Sequence, residues 1–559
     1  MSATHPARTG GRILIDALAL NGADTVYTVP GESFLAALDA LHDTQQIHTI
    51  VCRQEGGAAM MAEAYGKLTG KPGICFVTRG PGASNASSGL HVAAQDSTPM
   101  ILFIGQVDRQ TWDREGFQEV DFKQMFGGQA KFVAQINDAA RVPEYVNRAW
   151  QIATSGRPGP VVLALPEDML TDTAAVADAA PSHGAQGQPS PGQLAELRAL
   201  LEKAERPMLV VGGGSWSAEA AEAARRFAEA NALPVFATFR RQDYVDNTST
   251  SYAGFMGVAM PAAVMKRARA SDLVIALGTR LGDVVTDGYQ LFDLPRPKQK
   301  IIHIHPDPDE IGRVWQADIA IVASAIAAAK ALAALPPIAK PRWGEWTKSA
   351  RAEYLEESKP KATPGPVDMA AIVKHLSDTL PADAIITNGA GNYATWAHRY
   401  YTFRKYRTQL APASGSMGYG LPAAVAAKLA HPERTVVCFA GDGCLMMTVQ
   451  ELATAQQYGA AVIAVVFNNG MFGTIRMHQE RHYPGRVSGT GIQNPDFAAL
   501  ARAFGGHGET VERTEQFPEA FRRAAASGKP AVIELKIDPE ALTTRATLSE
   551  IRAAALAKR

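Results

Sequence analysis

Short apolar runs rich in Val and Ile recur along this chain, separated by longer stretches of helical periodicity; they cover residues 73–77, 100–104, 161–165, 208–211, 273–277, 435–440 and 462–467. A run that is apolar on both faces fits a strand buried from both sides. A chain that alternates such strands with helices is confined to parallel sheet covered by helices, so the fold class is α/β. At 559 residues the chain exceeds what one hydrophobic core supports. Two segments break the rhythm. Residues 166–193 are loaded with Ala, Gly, Ser and Pro, and 335–366 contain PPIAKPRWGEW and KPKATPGP. Read as linkers, they leave three units at 1–175, 190–335 and 365–545, each a mainly parallel sheet under helices. Residues 548–559 read as a short helical tail that either frays or covers something.

Lysine plus arginine and aspartate plus glutamate each number 55. With no net field to gather polyanions, nucleic acid and anionic membranes are not expected partners. No stretch approaches the roughly 20 apolar residues of a membrane span, and the first residues lack the apolar core of a secretory signal, so a cytoplasmic location is expected. The four cysteines, Cys52, Cys75, Cys438 and Cys444, lack the paired spacing of a zinc site or disulfide framework. Cys75 and Cys438 read as small buried hydrophobes within strands.

The stretch TVVCFAGDGCLMMTVQELATAQQYGAAVIAVVFNNG parses as strand, glycine-rich turn, helix, strand and turn. Each turn alone is common punctuation. Joined by one βαβ unit, they have a fixed relation, because parallel strands end on the same sheet edge, where open α/β sheets bind ligands. Asp442 and Asn469 are thereby expected side by side. One carboxylate, one amide oxygen and the carbonyl of Met471 make a hard, oxygen-only partial shell of the kind magnesium completes with phosphate and water. Gly441 and Gly443 allow close backbone approach, and a helix starting near Leu445 turns its amino end toward a bound diphosphate.

This arrangement matches the thiamine-diphosphate signature, GDG followed at this distance by NN. TRGPGASN (78–85), GQV (105–107), GFQEVD (116–121), SGRPGPV (155–161) and GSMGYGLPAA (415–424) extend the resemblance to acetolactate synthases and the related 2-oxo acid decarboxylases over nearly the whole chain. The resemblance implies thiamine diphosphate and Mg2+ as cofactors, a small 2-oxo acid as substrate, and a homodimer or homotetramer with active sites at subunit interfaces. CRQEGGAAMMAEAYGKLTGKPG resembles the segment that supplies the carboxyl facing the coenzyme's N1′ atom, which points to Glu55. In the family this carboxyl reaches a coenzyme held by another subunit. By the same analogy Ser416 and Met417 lie under the coenzyme. Gly391, Asn392 and Tyr393 touch its diphosphate with Gly441, Gly443 and Cys444, and Phe117 and Gln118 line the substrate side.

Several positions leave alternatives open. Glu32, in VPGES, stands where these synthases usually have glycine and the decarboxylases aspartate, so it is either a proton donor or a solvated glutamate at a helix start. His478 replaces a usual tryptophan and is either a proton carrier or a loop residue. Arg280 suits a substrate carboxylate, or else an ion pair with Asp283. In the middle unit, Ala259 stands where histidine is usual and His305 where aspartate is usual, and GGGSWS is no full GxGxxG, so FAD is a doubtful addition. The favoured expectation is an acetolactate-synthase-like enzyme, with an aldehyde-releasing decarboxylase as runner-up. Rivals of other classes are a non-catalytic coenzyme-binding regulatory subunit and a flavin or nicotinamide oxidoreductase.

Overall fold

The computed structural model describes residues 5–558, which form two compact units. The first, ending at Gln186 with residues 425–430 added, is built on one six-stranded parallel sheet. Its strands lie in the spatial order His48–Val51, Thr25–Thr28, Gly73–Val77, Met100–Gln106, Pro160–Pro166 and Phe132–Gln135. The three central ones are buried at every residue, as continuous apolar runs require. Helices Glu55–Thr69 and Gly80–Asp96 pack closely, because a Cβ on Gly89 would come within 2.5 Å of the Ala59 Cβ. Buried polar groups fasten the same pair: Lys67 bridges Glu63 (3.1 Å) and Asp96, and the Thr98 hydroxyl donates to Glu63 at 2.6 Å. These two helices carry Glu55 and Asn85.

The second unit holds two further six-stranded parallel sheets. The middle one runs Tyr252–Met256, Val235–Thr238, Pro207–Val211, Leu273–Leu277, Lys300–His305 and Ile319–Val322 across its width. The other runs Gln409–Leu410, Ile385–Asn388, Val436–Gly441, Ile463–Asn468, Ala531–Lys536 and His507–Val511. The class is α/β with three parallel-sheet domains. Buried Asp243 joins the two sheets of this unit, accepting from the backbone amides of Thr408 (3.0 Å) and Gln409 (3.2 Å). All four cysteines are free and buried, Cys75 and Cys438 within strands. Among the described residues no helix is long and apolar enough to cross a membrane.

The structure differs from the sequence reading in three places. The stretch 166–193 is not all linker, since it opens with helix Glu167–Thr171, and Thr173–Ala174 pairs antiparallel with Arg8–Thr9. The stretch 335–366 contains helix Gly344–Glu357, docked on the middle domain by indole donors: Trp343 to the carbonyl of Asn231, at the end of helix Ala218–Ala230, at 2.9 Å and Trp346 to that of Pro207 in the sheet at 3.0 Å. The expected helix after GDG starts at Asp442, not Leu445, and is broken into Asp442–Met446 and Glu451–Gln457. At the break the Thr448 hydroxyl donates to the Gly418 carbonyl at 2.7 Å, pulling the chain out of helical register.

The tail forms helix Leu548–Leu556; Arg559 lies outside the described residues. The helix covers Gly473–His482 through Met477, Leu542, Leu548 and Ile551. Glu480, 1 % exposed, is the polar anchor. It accepts from Arg552 Nε (2.9 Å) and Nη2 (2.8 Å), Arg476 Nε (3.0 Å) and the Gly485 amide (2.8 Å). The Arg552 hydrogen bonds lead in pulling its pKa from an ordinary 4.5 down to about 2, against the opposing effect of burial. A carboxyl lowered on folding stabilises the fold above its unfolded pKa, and that contribution is lost as pH falls through the folded value. Between pH 4.5 and 2, wild-type thermal stability is therefore expected to fall more steeply than that of Glu480→Gln, which is already weaker at neutral pH. Parallel melting-temperature profiles for the two proteins would refute this.

Candidate active site

In the third sheet Gly441 pairs with Phe467 in parallel register, so the chain leaves both strands at one edge, and Asp442 and Asn469 meet there. Asp442 is 3 % exposed. Its Oδ1 accepts from the Gly443 amide at 2.8 Å, and its Oδ2 accepts from the Gly470 amide and Asn494 Nδ2, both at 2.9 Å. Burial pushes its pKa up, against these bonds, which marks a carboxylate short of positive charge. Asn469 Oδ1 accepts from the Met471 amide at 3.2 Å.

Asp442, Asn469 and Met471 line one cavity of about 250 Å³ together with Gly391, Asn392, Tyr393, Met417, Gly441, Gly443 and Cys444. One sulfur ties three motif segments together: Cys444 Sγ accepts from the Gly418 amide and from the Tyr393 hydroxyl, each at 3.3 Å. Gly443 is required, because a Cβ there would lie 2.6 Å from the Phe472 ring. Ser416 adjoins the cavity in sequence, its hydroxyl donating to the Met417 carbonyl at 3.2 Å, but it is not part of the lining. A hard cation fits the donor set of carboxylate, amide and backbone oxygen, and the glycine-lined wall suits a diphosphate.

Three contributors carry no motif. Asn494 returns from a distant loop to Asp442, placed by the bridge between Met471 and Gly491. Thr474 and Leu542 fix Asn392: the Asn392 amide donates to Thr474 Oγ1 at 3.0 Å, and Asn392 Nδ2 donates to the Leu542 carbonyl at 3.0 Å. Both also line the cavity.

In the first unit Glu55 opens its helix, and Gln54 caps that helix by accepting from the Gly57 amide at 3.0 Å. Asn85 Nδ2 donates to Glu55 Oε2 at 2.9 Å. Glu32 is 68 % exposed and accepts from buried Arg79 at 3.2 Å; Arg79 also pairs with Glu167. Phe117 is exposed and Gln118 half-buried in the loop after strand Met100–Gln106. In the second unit Arg280 is half-buried just past strand Leu273–Leu277. His478 is exposed on helix Gly473–His482, stacked on His482 with ring centroids 6.4 Å apart, and does not line the cavity.

Three α/β domains of this topology, one bearing a buried carboxylate and amide at adjoining strand ends over a glycine-lined cavity, define the thiamine-diphosphate-dependent class of enzymes. Models of the thiamine pyrophosphate enzyme match in three segments: the N-terminal TPP binding domain over 8–125, the central domain over 194–332 and the C-terminal TPP binding domain over 389–535. The chain is 34 % identical over 548 residues to the acetolactate synthase large subunit of Parasynechococcus marenigrum, covering 95 % of this chain and 87 % of that one. It is 33 % identical over 532 residues to the acetolactate synthase isozyme 2 large subunit of Escherichia coli, covering 95 % of both. The mitochondrial acetolactate synthase catalytic subunit of Saccharomyces cerevisiae is 30 % identical over 568 residues, covering 96 % and 82 %. The chain belongs to the thiamine pyrophosphate enzyme family and is an acetolactate-synthase-like member of it.

Proposed function

We propose that the protein decarboxylates a 2-oxo acid and joins the remaining acyl fragment to a carbonyl acceptor, with pyruvate as the first substrate to test. The observation that carries this reading is the buried Asp442 carboxylate beside Asn469 at adjoining strand ends. Asp442, Asn469 and the Met471 carbonyl would hold Mg2+, and Gly391–Tyr393, Ser416, Met417, Gly441, Gly443 and Cys444 the coenzyme. Thiamine diphosphate, when bound, supplies a nucleophilic carbon that adds to the oxo group and takes up the electron pair as carbon dioxide leaves. Glu55 offers Oε1 as the proton-sharing atom at the coenzyme's N1′, while Asn85 holds Oε2. Its proposed coenzyme lies on a second subunit, so we read the working form as a homodimer or homotetramer, in the cytoplasm. Phe117, Gln118 and Arg280 would face the 2-oxo acid.

Glu32 is paired with Arg79, and His478 is not among the residues that line the cavity, which supports carboligation over simple protonation. In the middle sheet the Gly212 amide of the glycine turn donates to the Leu277 carbonyl at 3.2 Å and is not offered to a dinucleotide phosphate, which supports a reading without FAD. The purified protein is expected to be colourless and, with Mg2+ and thiamine diphosphate, to convert pyruvate into acetolactate, which yields acetoin on acidification. Acetaldehyde as the main product would make it a decarboxylase. No turnover in a screen of 2-oxo acids, with and without aldehyde acceptors, would overturn the reading.

A further inference from the structure

The loop between Val107 and Val120, beyond strand Met100–Gln106, is conformationally costly for its length. Asp113, Glu115 and Gln118 have φ of 62°, 55° and 64°, the left-handed region that side chains with a Cβ rarely occupy. The same loop leaves Phe117 72 % exposed. Backbone strain of this kind persists only where the surroundings over-determine it, and it gathers at binding sites.

One side chain does most of the determining. Glu119 Oε1 accepts from the Asp113 amide at 2.8 Å, Oε2 accepts from the Gly116 amide at 2.8 Å, and the Glu119 amide donates to the Gly116 carbonyl at 2.9 Å. The end of the loop is fastened too. Gln106 Nε2 donates to the Val120 carbonyl at 2.9 Å, and the Gly80 amide donates to the Gln118 carbonyl at 3.1 Å. Gly80 opens the helix whose Asn85 holds Glu55. The loop is thus bonded to the element that positions the proposed proton-sharing carboxyl.

We propose that Glu119 is a positioning residue for substrate selection: its carboxylate clasps the loop so that Phe117 and Gln118 are presented to the 2-oxo acid in a preset orientation. This rests on the proposed function above. Without the carboxylate the Asp113 and Gly116 amides lose their acceptor and the three strained residues are free to relax. The cost of ordering the loop then moves into the substrate-binding step.

The full-length Glu119→Ala variant is expected to show about a tenfold higher KM for the 2-oxo acid, the size of effect that comes from losing preorganisation, with thiamine diphosphate affinity by calorimetry unchanged. Coenzyme-free Glu119→Ala should also be cut by trypsin at exposed Arg114 several-fold faster than wild type. Glu119→Gln, which keeps one acceptor oxygen, should fall between. Glu115→Gly, which adopts the left-handed conformation freely, should leave KM unaltered. Wild-type KM and wild-type cleavage in Glu119→Ala would overturn the clasp, as would an equal loss of coenzyme affinity, which marks a general structural role. These outcomes are separable from failure of the proposed function, which shows in the wild-type product and not in the variant.

Discussion

Replacing Glu55 by glutamine is expected to lower kcat by about 10²- to 10⁴-fold, the range for loss of one acid–base group, while leaving affinity for thiamine diphosphate nearly unchanged. The substitution isolates the proton. Glutamine has the same length, Asn85 can still bond to its amide oxygen, and the helix cap is supplied by Gln54, so neither the start of helix Glu55–Thr69 nor its packing is disturbed. An amide cannot share a proton with a ring nitrogen as a carboxyl does. The expected signature is therefore a variant that binds coenzyme, melts like wild type and turns over slowly at saturating coenzyme and 2-oxo acid. Calorimetry with the coenzyme and steady-state kinetics on the same preparation check it, and wild-type turnover would remove Glu55 from the mechanism.

The parts of this molecule that could be read from its sequence are those set by short-range connectivity. Buried parallel strands appear as continuous apolar runs; the one expected at 273–277 is the strand Leu273–Leu277, and the one at 462–467 became Ile463–Asn468. Asp442 and Asn469 could be placed together because a βαβ unit brings its two strand ends to one edge, whatever the rest of the chain does. What escaped was set by contacts between distant segments. Asn494 reaches Asp442, and Leu542 the cavity, from loops with no motif. The Glu480–Arg552 pair joins two helices far apart in sequence. Helix Gly344–Glu357 was hidden by its proline-rich flanks, although Trp343 and Trp346 three residues apart were a visible sign of a docked face. The break after Met446 depends on a hydroxyl reaching Gly418, which helical periodicity does not register.

The Asp442→Ala variant should fold like wild type yet lose the stabilisation that magnesium and coenzyme bring. Truncating a buried, hydrogen-bonded carboxylate ordinarily destabilises, because the donors left behind go unsatisfied. Here two of the donors have a second acceptor: Asn468 Oδ1 already accepts from the Gly470 amide at 3.2 Å and from Asn494 Nδ2 at 3.0 Å. The Gly443 amide loses its acceptor, and so does the Asn469 amide, which also bonds to the carboxylate. Against that loss stands a gain. A carboxyl whose pKa is raised by burial stabilises the fold while protonated, and that contribution is gone once pH has risen through its folded value, so at neutral pH the bare carboxylate is a liability to the coenzyme-free protein. The two effects oppose each other, and the coenzyme-free melting temperature is expected to move little. With ligand present they no longer balance. Wild type at a coenzyme concentration of about 100 times Kd gains about 2.7 kcal/mol by mass action, a shift of several degrees, whereas the variant, lacking the one charged oxygen donor of the proposed cation shell, should gain none at the same concentration. Thermal unfolding with and without Mg2+ and thiamine diphosphate checks this. An equal upward shift in the variant would mean that the cation is held elsewhere, and a large drop in its coenzyme-free melting temperature would mean that Asp442 is structural.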